Sequence, residues 1–362
     1  MKINFQEIKK LLPEIQKNIP LKNYTTFKIG GPAKYFFVAK NKTELIEAIK
    51  TAKKIKLPFF ILGGGSNLLV SDKGYNGLVI KIQNSKTELR FIEAKVKKRM
   101  KSSSPYKIQN TKIMTEAGVM LRELVNVSAK AGLSGLGWAV GIPGTVGGAI
   151  WGNAGAFNKS MKDVVKSVEA LEVKNEKCKV KNFKKRDCEF SYRDSIFKKN
   201  KNQSTKQSFV LGRAHKIMCS DLIILSAVLQ LKKGKKSEIE NKVKENLNYR
   251  KERQPLNFPS AGSIFKNPCL TGRQVPGFFA GELGEEDKSS SSSFAAARLI
   301  ERCGLKGKKI GNVKISEIHS NFIVNLGQGT AKDVMRLIKI IKNKVKKKFG
   351  VVLEEEIQFL GF

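Results

Sequence analysis

The sequence has few of the side chains that hold metals or form disulfides. It contains five cysteines and two histidines in 362 residues, and the cysteines are odd in number, scattered and without a Cys-x-x-Cys pair. This usage predicts neither a disulfide framework nor a zinc site. We expect reduced thiols that pack as small apolar side chains.

Long hydrophobic runs are also missing. The longest, near residues 222–231, is too short and too polar to span a bilayer, and the first ten residues lack the apolar core of a signal peptide. We therefore expect a cytoplasmic protein without membrane insertion. A hydrophobic fraction of 41% with 28% charged residues is typical of a globular chain. The length predicts two or three domains.

Acidic residues are scarce beside basic ones. The chain has 31 Asp and Glu against 69 Lys and Arg, a formal charge of +38, and nucleic-acid binding is the first function that such a charge suggests. However, aromatic residues do not interleave with arginines, and no helix-turn-helix or zinc-finger spacing occurs. Attraction of a diphosphate-bearing ligand is a smaller alternative. We favour the interpretation that the charge lies on solvated lysine faces without a function of their own. We therefore expect the lysines within 86–101 and 198–206 to be dispensable for flavin binding and turnover. The lysines concentrate in segments that look inserted: residues 86–112, 174–185, 198–206 and 339–348.

Three blocks, residues 1–80, 81–235 and 236–362, separate along the chain. Apolar spacing predicts that Thr43 caps a helix carrying Leu45, Ile49 and Ala52. Three segments interrupt the alternation of predicted helices and strands and are interpreted as insertions: residues 86–111, 198–220 and 271–293. The other predicted helices are residues 5–16, 120–131, 237–253, 295–303 and 331–349; the predicted strands are 35–39, 57–62, 79–82, 165–173, 222–231 and 351–360.

A glycine cluster directly follows the predicted buried strand 57–62. Successive glycines let backbone N–H groups approach an anion closely, and the two polar side chains after them add donors, which suits a diphosphate. The cluster matches neither the G-x-G-x-x-G fingerprint nor a P-loop, so a plain tight turn stays open as the alternative. Its residues are Gly63, Gly64, Gly65, Ser66 and Asn67.

A second cluster surrounds Pro143. So many positions without side chains make a surface against which a flat ring system or a second phosphate contact could lie, although packing of small residues is an alternative. Two such clusters favour a cofactor with two anchoring regions, such as a flavin dinucleotide. Neither cluster has a histidine or cysteine that could attach the flavin covalently, so we expect noncovalent binding of the cofactor. The residues are Gly141, Pro143, Gly144, Gly147, Gly148, Asn153, Ala154 and Gly155.

Six motifs, taken together and in order, resemble those of the MurB family, the UDP-N-acetylenolpyruvoylglucosamine reductases. The resemblance covers nearly the whole chain, and the run from Gln254 into the Ser263 loop resembles the shorter form of the family. The motifs are residues 23–32 (NYTTFKIGGP), the two glycine clusters, 191–195 (SYRDS), 258–268 (FPSAGSIFKNP) and 353–357 (LEEEI).

The resemblance implies an α+β fold with a two-subdomain FAD-binding region of the p-cresol methylhydroxylase/vanillyl-alcohol oxidase type and a C-terminal α+β substrate domain. Residues 1–80 and 81–235 would form the FAD-binding subdomains, and 236–362 the substrate domain. The implied activity is reduction of UDP-N-acetylenolpyruvoylglucosamine to UDP-N-acetylmuramate in peptidoglycan precursor synthesis, with FAD as cofactor and NADPH as reductant. We expect a monomer that binds no specific nucleic acid.

By resemblance, Arg193, Ser263 and Glu356 are the catalytic residues. Reduction of the enolpyruvyl group leaves negative charge on the α-carbon and its carboxylate, which Arg193 is suited to meet. Ser263 would donate the proton, and Glu356 would assist as a protonated or hydrogen-bonded acid. The alternatives are a surface ion pair of Arg193 with Asp187 or Asp194, a loop-capping role for Ser263, and solvated neighbours of Glu356, namely Glu354 and Glu355.

Four residues in or near these motifs are predicted to bind the substrate: Tyr192, Arg250, Lys266 and Asn267. For Arg250, an exposed charge at a helix end is the alternative. His319 is interpreted as structural. Two other classes remain as alternatives. A flavin oxidase of the vanillyl-alcohol type would share the glycine clusters but not the Ser263 and Glu356 pair, and a basic nucleic-acid-binding protein would explain the charge but none of the ordered motifs.

Overall fold

The computed structural model of the protein describes residues 4–83, 90–92, 110–174, 177–199, 221–268 and 295–362. The predicted insertions 198–220 and 271–293 lie almost entirely outside these ranges. Part of the predicted insertion 86–111 belongs instead to a sheet, because Arg90–Ile92 pairs with the strand that begins at Asn110. Within the described residues, no helix is both long and apolar enough to cross a bilayer.

The first sheet is mixed and carries the first glycine cluster at the end of one strand. Its order is β1-β2-β5-β3, with the β2–β5 and β3–β5 pairs parallel and the β1–β2 pair antiparallel. Helices α1 and α2 pack on it. The elements are α1 (Phe5–Leu11), β1 (Gln16–Pro20), β2 (Pro32–Ala39), α2 (Lys42–Lys54), β3 (Phe59–Leu62), β4 (Leu68–Val70) and β5 (Tyr75–Ile82).

Two predictions for this region are wrong in detail. The cap of α2 is Asn41, whose side chain accepts the N–H of Glu44 at 2.9 Å, so Thr43 lies inside the first turn. Helix α1 ends at Leu11 and not at residue 16, because Pro13 keeps the preceding residue out of the helical region.

The second sheet is antiparallel, with the order β12-β11-β13-β7-β6 and β8 on the end of β13. Leu171, Val173, Ile223 and Leu225 of this sheet enter the core of the first sheet. The elements are β6 (Arg90–Ile92), β7 (Asn110–Glu116), α3 (Leu121–Lys130), β8 (Leu133–Ser134), α4 (Val146–Trp151), β9 (Gly155–Ala156), β10 (Lys159–Ser160), α5 (Met161–Val164), β11 (Val165–Lys174), β12 (Lys177–Lys184) and β13 (Leu222–Lys233).

The third sheet is antiparallel, with the order β14-β17-β16-β15. Its core also takes in Phe27, Ile29 and Leu69 from the N-terminal part of the chain. The boundaries near residues 80 and 235 stay a prediction. The elements are α6 (Lys236–Arg253), β14 (Ser260–Ser263), α7 (Ala296–Arg302), β15 (Lys309–Ile310), β16 (Val313–Ile315), β17 (Phe322–Asn325), α8 (Ala331–Phe349) and β18 (Gln358–Leu360).

The predicted C-terminal strand 351–360 is mostly irregular. Only Gln358–Leu360 forms a strand, which lies parallel to β4. The acidic residues before this strand pair with the segment that follows β14. The N–H of Lys266 donates to the carbonyl of Glu354 at 2.9 Å, and Phe265 forms a β-bridge with Glu355. This pairing draws the C-terminus onto the Ser263 loop.

One carboxylate joins the N-terminal part of the chain to the long helix α8. The two oxygens of Asp72 accept the N–H groups of Ala331 and Lys332 at 2.8 and 3.0 Å. These are N–H groups that a helix start leaves without an internal partner, and a negative charge there also meets the positive end of the helix dipole.

We predict that Asp72→Ala lowers the free energy of unfolding by about 0.5–2 kcal/mol, the usual cost of a lost helix cap. The matched control is Lys73→Ala, an exposed neighbour that we expect to change stability by less than about 0.5 kcal/mol. Urea denaturation measures both. Equal stability of the two variants would show that the Asp72 contact contributes nothing.

Candidate active site

The two glycine clusters contact each other. The Ser66 hydroxyl donates to the carbonyl of Pro143 at 3.0 Å, and a Cβ added at Gly64 would lie 2.5 Å from the Cα of Gly144. Gly144 also has a φ of +117°, which side-chain-bearing residues rarely adopt. The glycines are thus needed for the contact between the loops, and the two predicted anchoring regions form one surface.

The second cluster packs small residues together, and it also leaves part of its surface accessible. Packing accounts for Gly147, because a Cβ there would lie 2.8 Å from that of Ala117. Thr145 caps α4 by accepting the N–H of Gly148 at 3.3 Å. By contrast, several residues of the two clusters leave backbone accessible to a ligand. Gly141, Pro143 and Gly148 are exposed, and Gly63, Gly64, Ser66, Asn67, Ala154 and Gly155 are half-buried.

A half-buried lysine lies beneath the first cluster. Lys81 on β5 donates through Nζ to the carbonyl of Gly63 at 2.7 Å and to that of Ile82 at 3.2 Å. Burial lowers the pKa of this ammonium group. The sequence did not single it out, because one lysine at the end of a strand does not differ from the many others in this chain.

The turn that carries Arg193 is fastened to the second cluster. Ser191 and Asp194 exchange backbone hydrogen bonds, and between them Arg193 has a φ of +55°. The side-chain amide of Asn153 donates to the Ser191 carbonyl at 2.7 Å, and the Ser195 hydroxyl donates to the Trp151 carbonyl at 2.7 Å. The position of this turn therefore depends on the loop that follows α4.

Arg193 forms an ion pair with Glu356. Its Nε lies 2.7 Å from Oε1, although the N–H does not point along that line, so charge rather than a linear hydrogen bond holds the pair. Its Nη1 donates to the Gly155 carbonyl at 3.1 Å. The surface alternatives are not formed, since Arg193 pairs with neither Asp187 nor Asp194 among the described residues.

Glu356 is the acidic residue of its triplet that faces this site. Glu354 is exposed and pairs with Lys266, and Glu355 pairs with Lys342 of α8. The side chain of Glu356 is only 19% exposed. Burial raises its pKa, although the positive charges of Arg193 and Lys198 partly oppose the rise.

Ser263 is brought beside this pair by the backbone. It is the last residue of β14, and the carbonyl of the next residue, Ile264, accepts the N–H of Glu356 at 2.7 Å. Ser263 is half-buried, and in the described parts of the chain its hydroxyl has no hydrogen-bond partner. The three predicted catalytic residues thus come together from separate segments.

Asn67 links the first glycine cluster to Glu356. Its side-chain amide donates to the backbone carbonyl of Glu356 at 3.0 Å, and its own carbonyl accepts the N–H of Gln358 at 2.9 Å. The end of the cluster and the acidic residue are therefore fixed relative to each other.

The predicted substrate residues fall into two places. The N–H of Asn267 donates to the Tyr192 hydroxyl at 3.2 Å, so Lys266 and Asn267 lie close to the Arg193 turn. Arg250, on α6, instead contacts the second glycine cluster. A Cβ at Gly141 would lie 2.9 Å from its Cδ, and its Nη2 donates to the Trp138 carbonyl at 3.3 Å.

The expectation that the lysines of 198–206 are solvated is wrong for Lys198. This lysine donates through Nζ to the Arg193 carbonyl at 2.9 Å and lies over the Trp151 ring. Burial lowers its pKa first of all, and the charge of Lys266 adds to this. Lys198 lies three residues after the motif that carries Arg193, and in a chain with so many lysines its spacing did not distinguish it.

Other polar groups fit structural roles. The Nδ1 atom of His319 accepts the N–H of Asn321 at 3.3 Å, and the ring packs edge-on against Phe322. Burial raises the pKa of Cys188 to about 12, which leaves it an inert thiol at neutral pH. Among the described residues, no group of His, Cys, Asp and Glu could hold a metal ion.

Comparison with known proteins gives consistent matches. The model of the UDP-N-acetylenolpyruvoylglucosamine reductase C-terminal domain matches residues 254–360, and that of an FAD binding domain matches residues 33–180. A UDP-N-acetylenolpyruvoylglucosamine reductase of Caldanaerobacter subterraneus is 39% identical over 98% of this chain and 97% of its own length. One from Caldicellulosiruptor saccharolyticus is 40% identical over 98% of this chain and 94% of its own.

A solved structure is similar throughout. The crystal structure of UDP-N-acetylenolpyruvylglucosamine reductase from Thermus caldophilus matches with a TM-score of 0.65 and 30% identity, covering 96% of this chain and 99% of the other. With the matched FAD binding domain, this confirms the predicted fold class of an FAD-binding region followed by a C-terminal domain, with α and β structure in both.

We predict that Gly64→Ala lowers the free energy of unfolding by about 1–3 kcal/mol and weakens FAD binding, because the added Cβ forces the two loops apart. Gly152→Ala is the matched control. Its Cβ would meet its nearest atom at an ordinary 3.7 Å, and we expect a change below about 1 kcal/mol. Urea denaturation and fluorescence titration of the apoprotein with FAD measure both effects. Similar results for the two variants would contradict the contact between the loops.

Proposed function

The chain belongs to the UDP-N-acetylenolpyruvoylglucosamine reductase family, and from this premise we propose that it reduces UDP-N-acetylenolpyruvoylglucosamine to UDP-N-acetylmuramate with FAD as cofactor and NADPH as reductant. The observation that supports this most is the meeting of Arg193, Glu356 and the Ser263 strand beside the glycine clusters. The reaction would supply a peptidoglycan precursor, and so serve cell-wall synthesis, cell shape and division.

The residues present fit a flavin dinucleotide. The joined glycine loops offer accessible backbone, and the buried Nε of Arg250 has no partner among the described residues, so a ligand atom at the second loop could satisfy it. A bound FAD would supply the hydride, taken from NADPH, that adds to the enolpyruvyl β-carbon. Gly63 to Asn67 and the segment from Gly141 to Gly155 would hold it without a covalent bond.

Arg193 would bind the enolpyruvyl carboxylate. A guanidinium group is permanently charged and offers a planar set of donors that matches a carboxylate. Its side chain is 25% exposed, so it can reach a ligand while it stays paired with Glu356. As the double bond is reduced, negative charge grows on the α-carbon and its carboxylate, and a fixed cation at that point lowers the barrier.

Ser263 and Glu356 would take part in protonation of the substrate. In this proposal the Ser263 hydroxyl donates to the α-carbon. Glu356, whose raised pKa favours the protonated acid, offers a hydrogen bond to the developing enolate instead of repelling it. The remainder of the substrate would contact Tyr192, Lys266 and Asn267, which lie near the same turn. Arg250 would contact the substrate from the side of the second glycine loop.

The two other classes lack such support. A flavin oxidase of the vanillyl-alcohol type gives no role to a serine beside a buried acid and arginine, and nucleic-acid binding explains none of these contacts. The cytoplasmic location, the monomeric state and the absence of a nucleic-acid partner stay predictions.

We predict that Ser263→Ala leaves flavin reduction by NADPH nearly unchanged and slows reoxidation by the enolpyruvyl sugar about 10²- to 10⁴-fold, the usual contribution of a general acid. Stopped-flow absorbance separates the two half-reactions. Ser260→Ala is the control in the same strand. Among the described residues, the one hydrogen bond of the Ser260 hydroxyl is the N–H that it accepts from Gly262, so we expect both half-reactions to stay near the parent rates. Slowed flavin reduction with normal reoxidation in Ser263→Ala would place the serine in the nicotinamide step instead.

A further inference from the structure

Lys198 is a half-buried cation to which the proposed chemistry gives no part. It follows Phe197, which is fully buried, and it reaches back along its own loop to the Arg193 carbonyl at 2.9 Å. Its Nζ lies 5.1 Å from the centre of the Trp151 ring, within range of a cation–π contact. A lysine held between a carbonyl and an aromatic face is not one of the solvated lysines that dominate this sequence.

The carbonyl that Lys198 holds belongs to a residue with an unusual backbone. Arg193 has a φ of +55°, a conformation that non-glycine residues adopt at a cost unless neighbouring contacts fix it. The Asn153 amide fixes the start of the turn through Ser191, and Lys198 fixes the carbonyl of Arg193 itself. The direction of the guanidinium toward Glu356 therefore depends on a bond from Lys198.

Lys198 also belongs to the set of charges around Glu356. That carboxyl is faced by Arg193 and Lys198 from the Arg193 loop and by Lys266 from the segment after β14. Lys198 in turn is faced by Lys266, Asp194, Glu356 and Arg193. Each of the three cations favours the ionised form of Glu356, against the burial that favours the protonated form.

We propose that Lys198 is a positioning residue for the reduction: its ammonium group fixes the backbone of Arg193 so that the guanidinium faces Glu356, and it supplies one of the positive charges that set the protonation of that acid. For its effect on rates, the inference rests on the proposed function. Its effect on Glu356 does not, because the acid titrates whether or not the sugar reacts.

Three substitutions separate the hydrogen bond from the charge. Lys198→Met removes both, Lys198→Gln keeps a donor but loses the charge, and Lys198→Arg keeps both. Lys199→Met is the matched control, because Lys199 is an exposed neighbour that pairs with Glu189 at 2.7 Å. In each variant, ¹³C NMR of labelled glutamate follows the titration of Glu356, whose signal is assigned by its loss in Glu356→Gln. Stopped-flow absorbance measures both half-reactions, and the melting temperature reports on folding.

We expect Lys198→Met and Lys198→Gln to move the titration of Glu356 to higher pH, since each removes a charge that favours the carboxylate. Lys198→Arg and Lys199→Met should leave it at the parent position. The pH limb of reoxidation that reports Glu356 should move upward with the titration, whichever form of the acid is active. Reoxidation should slow about 10- to 100-fold in Lys198→Met, the size expected when a reacting group is displaced, and less in Lys198→Gln. Flavin reduction by NADPH should stay within about twofold, since Lys198 has no part in the nicotinamide step proposed here.

An unshifted titration of Glu356 in both uncharged variants would overturn the inference, as would loss of folding in Lys198→Gln, which would make the lysine a purely structural residue. If the parent protein does not react with the enolpyruvyl sugar, the proposed function fails, but the titration still decides the role of Lys198.

Discussion

The hydrogen bond from the Asn67 side chain to the backbone carbonyl of Glu356 is the contact on which the rest of the site depends. It joins the last residue of the first glycine cluster to the acid near the end of the chain. The parallel pairing of β4 with β18 follows directly after it on both segments. Because the N–H of Glu356 is held at the same time by the Ile264 carbonyl, one residue is shared between the glycine loop and the Ser263 strand.

Further contacts between distant segments hold this junction in place. The Thr26 hydroxyl donates to the Ser260 carbonyl at 2.7 Å. The Asn325 amide donates to the Phe27 carbonyl at 3.0 Å, and its oxygen accepts the N–H groups of Gly327 and Gly329. Asn325 is buried, so each of these bonds satisfies a group that would otherwise be costly to leave unpaired. The N-terminal part of the chain is therefore fastened to the C-terminal sheet through the neighbouring residues Thr26 and Phe27.

The electrostatics of the site are a balance around one carboxyl group. Burial raises the pKa of Glu356, and three nearby cations oppose this rise. Such a balance leaves the proton on Glu356 sensitive to a single neighbouring charge, which suits a group proposed to meet a developing enolate. An exposed acid such as Glu354 would hold an ordinary ion pair with little effect on chemistry.

Sequence patterns predicted the elements whose structure depends on neighbouring residues in the chain. Helix α8 was predicted at its observed bounds, because an apolar face at helical spacing runs from a Thr330 cap to Gly350. The order of the motifs, through their resemblance to a family, led to Arg193, Ser263 and Glu356. Sequence patterns failed where contacts with residues distant in the chain determine the local structure. The segment before β18 pairs irregularly with the chain after β14, which alternation cannot show. Lys81 and Lys198 are half-buried and hydrogen-bond to backbone carbonyls in other segments or in a strained turn. In a chain with so many lysines their spacing carried no signal.

The central claim is that the substrate is reduced between the joined glycine loops and the Arg193, Glu356 and Ser263 group. A crystal structure of the protein with FAD and the enolpyruvyl sugar tests it most directly. The account predicts the diphosphate of FAD against the backbone of the two glycine loops, the enolpyruvyl carboxylate within hydrogen-bonding distance of the Arg193 guanidinium, and the Ser263 hydroxyl facing the α-carbon. A carboxylate bound away from Arg193, or a flavin bound away from the glycine loops, would contradict it.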